Sequence, residues 1–267
     1  EQLRSTSNYK QKDLSLIGLQ GDYLGVDFAG FPLRRTLFYC CRLGGSSFAN
    51  ADIGGATFWF ATTSRSDQET FTESQLCSTA SYRKRDLDGT RFIGCDYSGV
   101  DFCDCSLGFF WSCQLRGTDF SNAEFCEPQS SEAMTTHFRG ASSRGGYYAS
   151  YGFIACDLTA EQFYSTRTYK CGALPSSFVL EEMNLDGWDL SGMDLRGVSF
   201  RMSSLRGANL DNARGGHFEQ AIGLTAEQIK STWNYRHGVL SEGPHTGFSI
   251  PESIRKAVVG ALPSKKE

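Results

Sequence analysis

The residues that could do chemistry are few and poorly placed for it. Four histidines, His137, His217, His237 and His245, are scattered through the second half of the chain. None belongs to an H-E-x-x-H pair or stands with cysteines at zinc-finger spacing, and no G-x-S-x-G elbow, phosphate-cradling glycine loop or dinucleotide fingerprint occurs. A row of aspartates (Asp22, Asp27, Asp96, Asp101, Asp119, Asp189 and Asp194) invites a calcium reading. Its five-residue spacing puts successive members on different faces, so a solvated repeat position is the better reading. The ten cysteines, Cys40, Cys41, Cys77, Cys95, Cys103, Cys105, Cys113, Cys126, Cys156 and Cys171, are even in number, which permits full pairing. That many fit an exported, disulfide-bonded protein better than a cytosolic scaffold. We read the chain as no enzyme, with no cofactor and no metal.

The elements that hold these residues must come from 267 residues, 40% hydrophobic and 21% charged, enough to bury a core as one elongated domain or two compact ones. Twenty-six basic against 30 acidic residues, net charge -4, argue against a nucleic-acid binder. No apolar run approaches the ~18 residues of a membrane span. The chain opens at Glu1 with neither methionine nor an apolar leader, so a leader cut away or lying upstream is expected.

Large apolar residues recur every fifth position. Tyr23, Phe28, Leu33, Phe38, Leu43, Phe48, Ile53 and Phe58 form one run. Tyr82, Leu87, Phe92, Tyr97, Phe102 and Leu107 form a second, which slips and resumes at Phe110, Leu115, Phe120 and Phe125. Leu180, Leu185, Leu190, Leu195, Phe200, Leu205 and Leu210 form a third. This period suits neither an α-helix nor an ordinary strand. Two residues after the large one the chain often has Gly (Gly25, Gly45, Gly94, Gly187, Gly197) or Asn (Asn50, Asn122, Asn212), residues that accept positive φ and bend the chain once per repeat. Two residues before it, small side chains suit a cramped inward slot, and Asp or Asn just before it suits a solvated face. The predicted core includes Phe28, Phe48, Phe92, Phe102, Leu190, Leu195, Phe200 and Leu205.

The strings ANADI, SNAEF, GANLD and MNLDGWDLSGMDLRG resemble the pentapeptide-repeat family over roughly half of the chain. The resemblance implies an all-β solenoid, a right-handed quadrilateral β-helix with one pentapeptide per face, in which residues about 20 apart stack at about 4.8 Å. Phe31, Met183, Trp188 and Met193 depart from it by putting bulk in the small slot, which implies a locally widened coil. On this geometry Cys95 and Cys113 take the same slot of adjacent coils and are a candidate disulfide. Cys41 and Cys105 share that kind of slot as buried thiols, whereas Cys40, Cys77, Cys103, Cys126, Cys156 and Cys171 suit bridges from inserts to the stack.

A longer repeat interrupts the coils. EQLRSTSNY (1–9) returns as SQLCSTASY (74–82), EQFYSTRTY (161–169) and EQIKSTWNY (227–235). In the last two copies Thr159 with Gln162, and Thr225 with Gln228, read as capping boxes opening short helices. Tyr9, Tyr82, Tyr169 and Tyr235 read as the first inward residues of new coils, each followed at five by Leu14, Leu87, Leu174 or Leu240. The first copy lacks its capping Thr, so the repeat is expected to continue upstream. This compound unit is similar to one in exported bacterial, planctomycete-like members of the family, which implies a secreted or cell-surface location. The predicted organisation is a β-helix over 1–248 with helix-containing inserts near 59–81, 126–168 and 215–234, then a C-terminal cap helix and tail over 249–267.

The stretch 140–153, GASSRGGYYASYGF, stands apart in composition, and Tyr147, Tyr148 and Tyr151 are its candidate interaction loop. Phe110 is expected to be buried, with Trp111 facing outward. The leading functional expectation is a non-enzymatic structural scaffold or protein-interaction module, able to stack end to end in a surface or fibre assembly, with a protein partner or self-assembly and no nucleic acid. The family resemblance offers a DNA-mimicking regulator of DNA gyrase as the alternative, although Arg116, Arg196, Arg201, Arg206 and Arg214 would interrupt a DNA-like acidic surface. A β-helix carbohydrate-active enzyme with paired carboxylates is the second alternative.

Overall fold

A computed structural model describes residues 2–60, 70–125, 151–240 and 248–259. Each five-residue step has one chemical plan. The large residue points inward: Phe28, Phe48, Phe92, Phe102, Leu190, Leu195, Phe200 and Leu205 are all at most 1% exposed. Two residues later the backbone turns through the left-handed region, at Gly25 and Gly187 (φ 64° and 74°) and also at Asn50, Asn122 and Asn212 (φ 60°, 57° and 56°). Just before the large residue, the aspartate builds the corner rather than facing water idly. Asp27 Oδ1 accepts from the N–H of Ala29 at 2.9 Å, Asp101 from Cys103 at 2.8 Å and Asp119 from Ser121 at 2.8 Å. The small slot also has a task. Thr36 Oγ1 donates to the Leu14 carbonyl at 2.6 Å, Thr118 to Tyr97 at 2.8 Å and Ser203 to Leu180 at 2.8 Å, each tying a corner to the preceding coil.

Coils stacked this way line up their strands. β1 (Gly18–Asp22), β2 (Leu37–Arg42), β3 (Thr57–Trp59) and β4 (Arg91–Ile93) begin a ten-stranded parallel sheet. It skips β5 (Ser106–Leu107), which pairs with β7 (Glu124–Phe125), and takes in β6 (Phe109–Trp111) and β8 (Tyr151–Ile154). β9 (Phe178–Glu181), β10 (Asp194–Ser199), β11 (Arg214–His217) and β12 (Phe248–Ser249) complete it. Leu19, Phe38, Phe58, Phe92, Phe110, Phe153 and Leu180 stand in register down its inner side. Their rings stack, Phe38 on Phe58 at 5.0 Å and Phe110 on Phe153 at 5.5 Å. β10 carries an irregularity in its pairing with β11 between Leu195 and Ser199. There Gly197 has φ 81°, and a Cβ would come within 2.1 Å of the Ser176 carbonyl oxygen.

The longer repeat produces two helices per copy, not one: α1 (Gln2–Ser5) with α2 (Ser7–Lys10), α3 (Glu73–Ser78) with α4 (Ala80–Arg83), α5 (Ala160–Ser165) with α6 (Arg167–Lys170), and α7 (Ala226–Ser231) with α8 (Trp233–Arg236). The expected capping boxes at Thr159 and Thr225 are present, and Thr72 with Gln75 makes a third. The tyrosines depart from expectation. Tyr9, Tyr82, Tyr169 and Tyr235 lie in the second helix of each pair and are half-buried, so coils resume at Leu14, Leu87 and Leu174 instead. Coil structure is present inside two of the predicted inserts: β8 lies within 126–168, and the end of β11 with the buried Phe218 and Leu224 lies within 215–234. Phe31 and Trp188 fill space beside the helix pairs, Phe31 5.1 Å from Tyr9 and Trp188 stacked on Phe163 at 5.4 Å. A last helix, α9 (Glu252–Val259), packs against α7 with Val258 buried. No helix among the described residues is long and apolar enough to cross a membrane.

Candidate interaction face

The last three helix pairs dock in the same way. Asn50 N–H donates to the Ser78 carbonyl at 2.8 Å, Asn122 to Ser165 at 2.9 Å and Asn212 to Ser231 at 3.0 Å. In return the first residue of each second helix donates to the coil: Ala80 to Ala51, Arg167 to Ala123 and Trp233 to Ala213, at 2.9 to 3.0 Å. Leu76, Phe163 and Ile229, all fully buried, then supply the core side chain that Phe48, Phe120 and Leu210 supply in the coil before. The coils of Phe28 and Phe48 separate the first pair from the second, those of Phe102 and Phe120 the second from the third, and those of Leu190 and Leu210 the third from the fourth. The pairs therefore repeat on one face every third coil, about 14 Å apart at the strand spacing.

The second and third pairs are clamped from both sides, while the first is tied to the coil that follows it and the fourth to the coil before it. Towards the preceding coil, Gln75 Nε2 donates to the carbonyls of Leu43 and Ser46 (2.8 and 3.0 Å), Gln162 to Leu115 and Thr118 (2.7 and 2.9 Å) and Gln228 to Leu205 and Ala208 (both 2.8 Å). Towards the following coil, the tyrosine hydroxyl donates to the carbonyl of the corner aspartate: Tyr9 to Asp27 at 2.7 Å, Tyr82 to Asp101 at 2.6 Å and Tyr169 to Asp189 at 2.9 Å. Burial, and at Tyr82 the bond to Cys77, raises the phenol pKa of Tyr82 and Tyr169. The basic residue after the tyrosine clips the left-handed asparagine, Arg83 to Asn50 at 2.7 Å, Lys170 to Asn122 at 3.0 Å and Arg236 to Asn212 at 2.6 Å. Outward the pairs present exposed charge: Glu73, Arg83 and Lys84 on one, Glu161, Arg167 and Lys170 on the next, Glu227 and Arg236 on the last. The face is polar and alternates in sign.

The other expected sites fare differently. Tyr151 is no loop residue: it opens β8, pairs with Phe178 and is fully buried, because the coil resumes there. Tyr147 and Tyr148 lie outside the described residues, as do Cys126, His137 and His245. The nine cysteines among the described residues are free thiols, Cys95 and Cys113 included. Those two do share a slot, but in-register parallel side chains leave their Cβ–Sγ bonds pointing the same way, and a disulfide needs a torsion near 90°. Phe110 is buried and Trp111 half-exposed, as expected. His217 Nδ1 meets Ser249 Oγ at 3.2 Å and His237 stacks on Trp233 at 4.1 Å. Asp101, Cys103 and Asp119 come within 4.8 Å of one another at the surface. Asp101 there is engaged by Arg85 at 2.8 Å, which with the Cys103 N–H holds its carboxyl below the ordinary range. Arg116, Arg196, Arg206 and Arg214 are exposed, with Arg196 paired to Asp194 and Arg201 to Glu181.

Residues 179–213 match the family model for pentapeptide repeats, in eight copies. This segment is a run of pentapeptide repeats. The pentapeptide plan of corner aspartate, inward large residue and left-handed turn extends beyond it, through the coils from Leu14 to Phe125. Two solved structures are similar to the chain. HetL, a pentapeptide repeat protein involved in heterocyst differentiation regulation from the cyanobacterium Nostoc sp. strain PCC 7120, aligns at 18% identity and TM-score 0.29 over 85% of this chain and 79% of its own. Full-length QnrB1, a plasmid-mediated fluoroquinolone resistance protein, aligns at 16% identity and TM-score 0.22 over 92% of this chain and 99% of its own. No curated protein sequence matches the chain.

Proposed function

We propose that the protein is a non-enzymatic scaffold and protein-interaction module that presents its helix pairs, every third coil, to a protein partner. The observation that carries this is the repetition itself: identical docking at Asn50, Asn122 and Asn212 sets equivalent charged patches at a fixed interval along one face. Solenoids offer extended surfaces of this kind to partners, because each repeat contacts only its neighbours while the outward residues are free to vary. We infer a right-handed quadrilateral coil beneath the face, closed at its C-terminal end by α9. Export to the cell surface, with end-to-end stacking, is the setting we propose, on the strength of the inter-repeat unit.

Combined reversal of charge on the face, Glu73→Lys, Lys84→Glu and Glu161→Lys, leaves the clamps intact and tests this. Melting should stay within a few degrees, while retention of the partner that accompanies the native protein should fall at least tenfold. Full retention by a folded variant contradicts the proposal.

A further inference from the structure

The small inward slot completes a hydrogen bond with a hydroxyl at Thr36, Thr118 and Ser203, yet four successive coils fill the slot that follows the long sheet with sulfur. Ile93, Trp111, Ile154 and Glu181 stand in register in β4, β6, β8 and β9. Two residues further on, Cys95, Cys113, Cys156 and Met183 therefore occupy one column. The register continues past the strands, since Gln114 N–H donates to the Cys95 carbonyl at 3.0 Å and Ser112 N–H to Ile154 at 2.9 Å. Cys113 Sγ donates to the Phe92 carbonyl at 3.3 Å and Cys156 Sγ to Phe110 at 3.6 Å, so both thiols do the work of the usual hydroxyl. Cys95 and Cys113 are 1% and 3% exposed, while Cys156 is half-buried and opens the column to solvent.

We propose that this sulfur column binds a soft d10 cation of the Cu(I) class, held linearly between the thiolates of Cys113 and Cys156. The spacing selects the coordination. Neighbouring slots are about 4.8 Å apart, close to twice a metal–thiolate bond of about 2.3 Å. Slots two coils apart are about twice as far, so three or four sulfurs cannot converge on one ion. Tetrahedral Zn(II) is thereby disfavoured, and thiolate with thioether neighbours suits Cu(I). Binding replaces two S–H bonds by two metal–sulfur bonds and releases two protons. The complex carries one negative charge, and the Cys95 thiol lies in the next slot of the column beside it.

The test uses the full chain, reduced, with Cys40, Cys77, Cys103, Cys126 and Cys171 replaced by Ser, titrated with Cu(I) against a competing chelator. One Cu(I) per chain is expected, with two sulfur neighbours in X-ray absorption. Cys113→Ser and Cys156→Ser keep a hydroxyl for the Phe92 and Phe110 carbonyls, so their folds should hold by circular dichroism while affinity falls about 100-fold. Cys41→Ser, in the same slot but two coils before Cys95 and next to neither ligand, should bind as the parent does. Absence of Cu(I) binding by the parent, equal binding by the folded Cys113→Ser variant, an equal loss in Cys41→Ser, or tighter binding of Zn(II) than Cu(I) would each overturn the proposal.

Discussion

Gln162→Ala removes the residue that joins a helix pair to the coil before it. Its Oε1 accepts from the Thr159 N–H at 2.8 Å, and its Nε2 donates to Leu115 and Thr118 at 2.7 and 2.9 Å. Loss of half of a capping box costs about 0.5 to 2 kcal/mol. The Thr118 carbonyl, left without its donor, adds about 1 kcal/mol, and the Leu115 carbonyl, which keeps the Thr118 N–H at 3.2 Å, adds less. The total expected loss is about 1.5 to 3 kcal/mol in urea unfolding followed by circular dichroism. Amide exchange should accelerate first around residues 160–170, because a solenoid yields locally at a weakened interface before it unfolds as a whole. Glu161→Ala, one residue away and exposed, is the control and should stay within about 0.5 kcal/mol. A loss below 0.5 kcal/mol at Gln162, or exchange that accelerates evenly along the chain, would show that the clamp does not hold the pair in place.

Three further outcomes follow from the coil plan. Leu195→Ala should cost about 2 to 5 kcal/mol through burial and cavity, whereas Arg196→Ala, exposed and paired only with Asp194, should stay within about 0.5 kcal/mol; equal losses would refute the register. Gly197→Ala should cost about 2 kcal/mol or more by chemical denaturation, since its φ is positive and the new Cβ meets the Ser176 carbonyl; a neutral result would refute the local backbone. Burial pushes the Cys41 thiol up to about 12 and the Cys105 thiol up to about 11. At pH 8 iodoacetamide should therefore label exposed Cys40 and Cys171 first, with Cys41 and Cys105 at least 100-fold slower by peptide mass spectrometry, and equal rates would contradict the burial.

The coil was legible because its period is written in three chemistries at once: a large residue for the core, Asp or Asn for the corner and a left-handed turn two residues on. Positions such as Arg35, Cys40 and Glu182, where the turn falls on an ordinary residue, could be placed by phase alone. The first helix of each pair was legible from Thr and Gln three apart. The second was not, because four residues are too few to show a helical period. Its signal is the Ser-Thr dipeptide shared by all four copies, where Thr6, Thr79, Thr166 and Thr232 each accept from the N–H of the tyrosine three residues on. Tyr151 was misread for want of phase. The register runs from Phe110 to Phe153 across a long interruption, so counting in fives could not place it, and its Ser- and Gly-rich neighbours suggested a loop. The cysteine slot was counted correctly from Cys95 to Cys113, and Cys156 escaped for the same reason as Tyr151.

Site-specific photo-crosslinking tests the interaction face most directly. A benzophenone amino acid placed singly at Glu73, Glu161 and Glu227, on three successive helix pairs, should capture the same partner chain from the protein's native extract. The same probe at Met202, exposed at 51% at the corner that follows the long sheet, should capture none. Adducts from Met202 with none from the helix pairs would contradict the account.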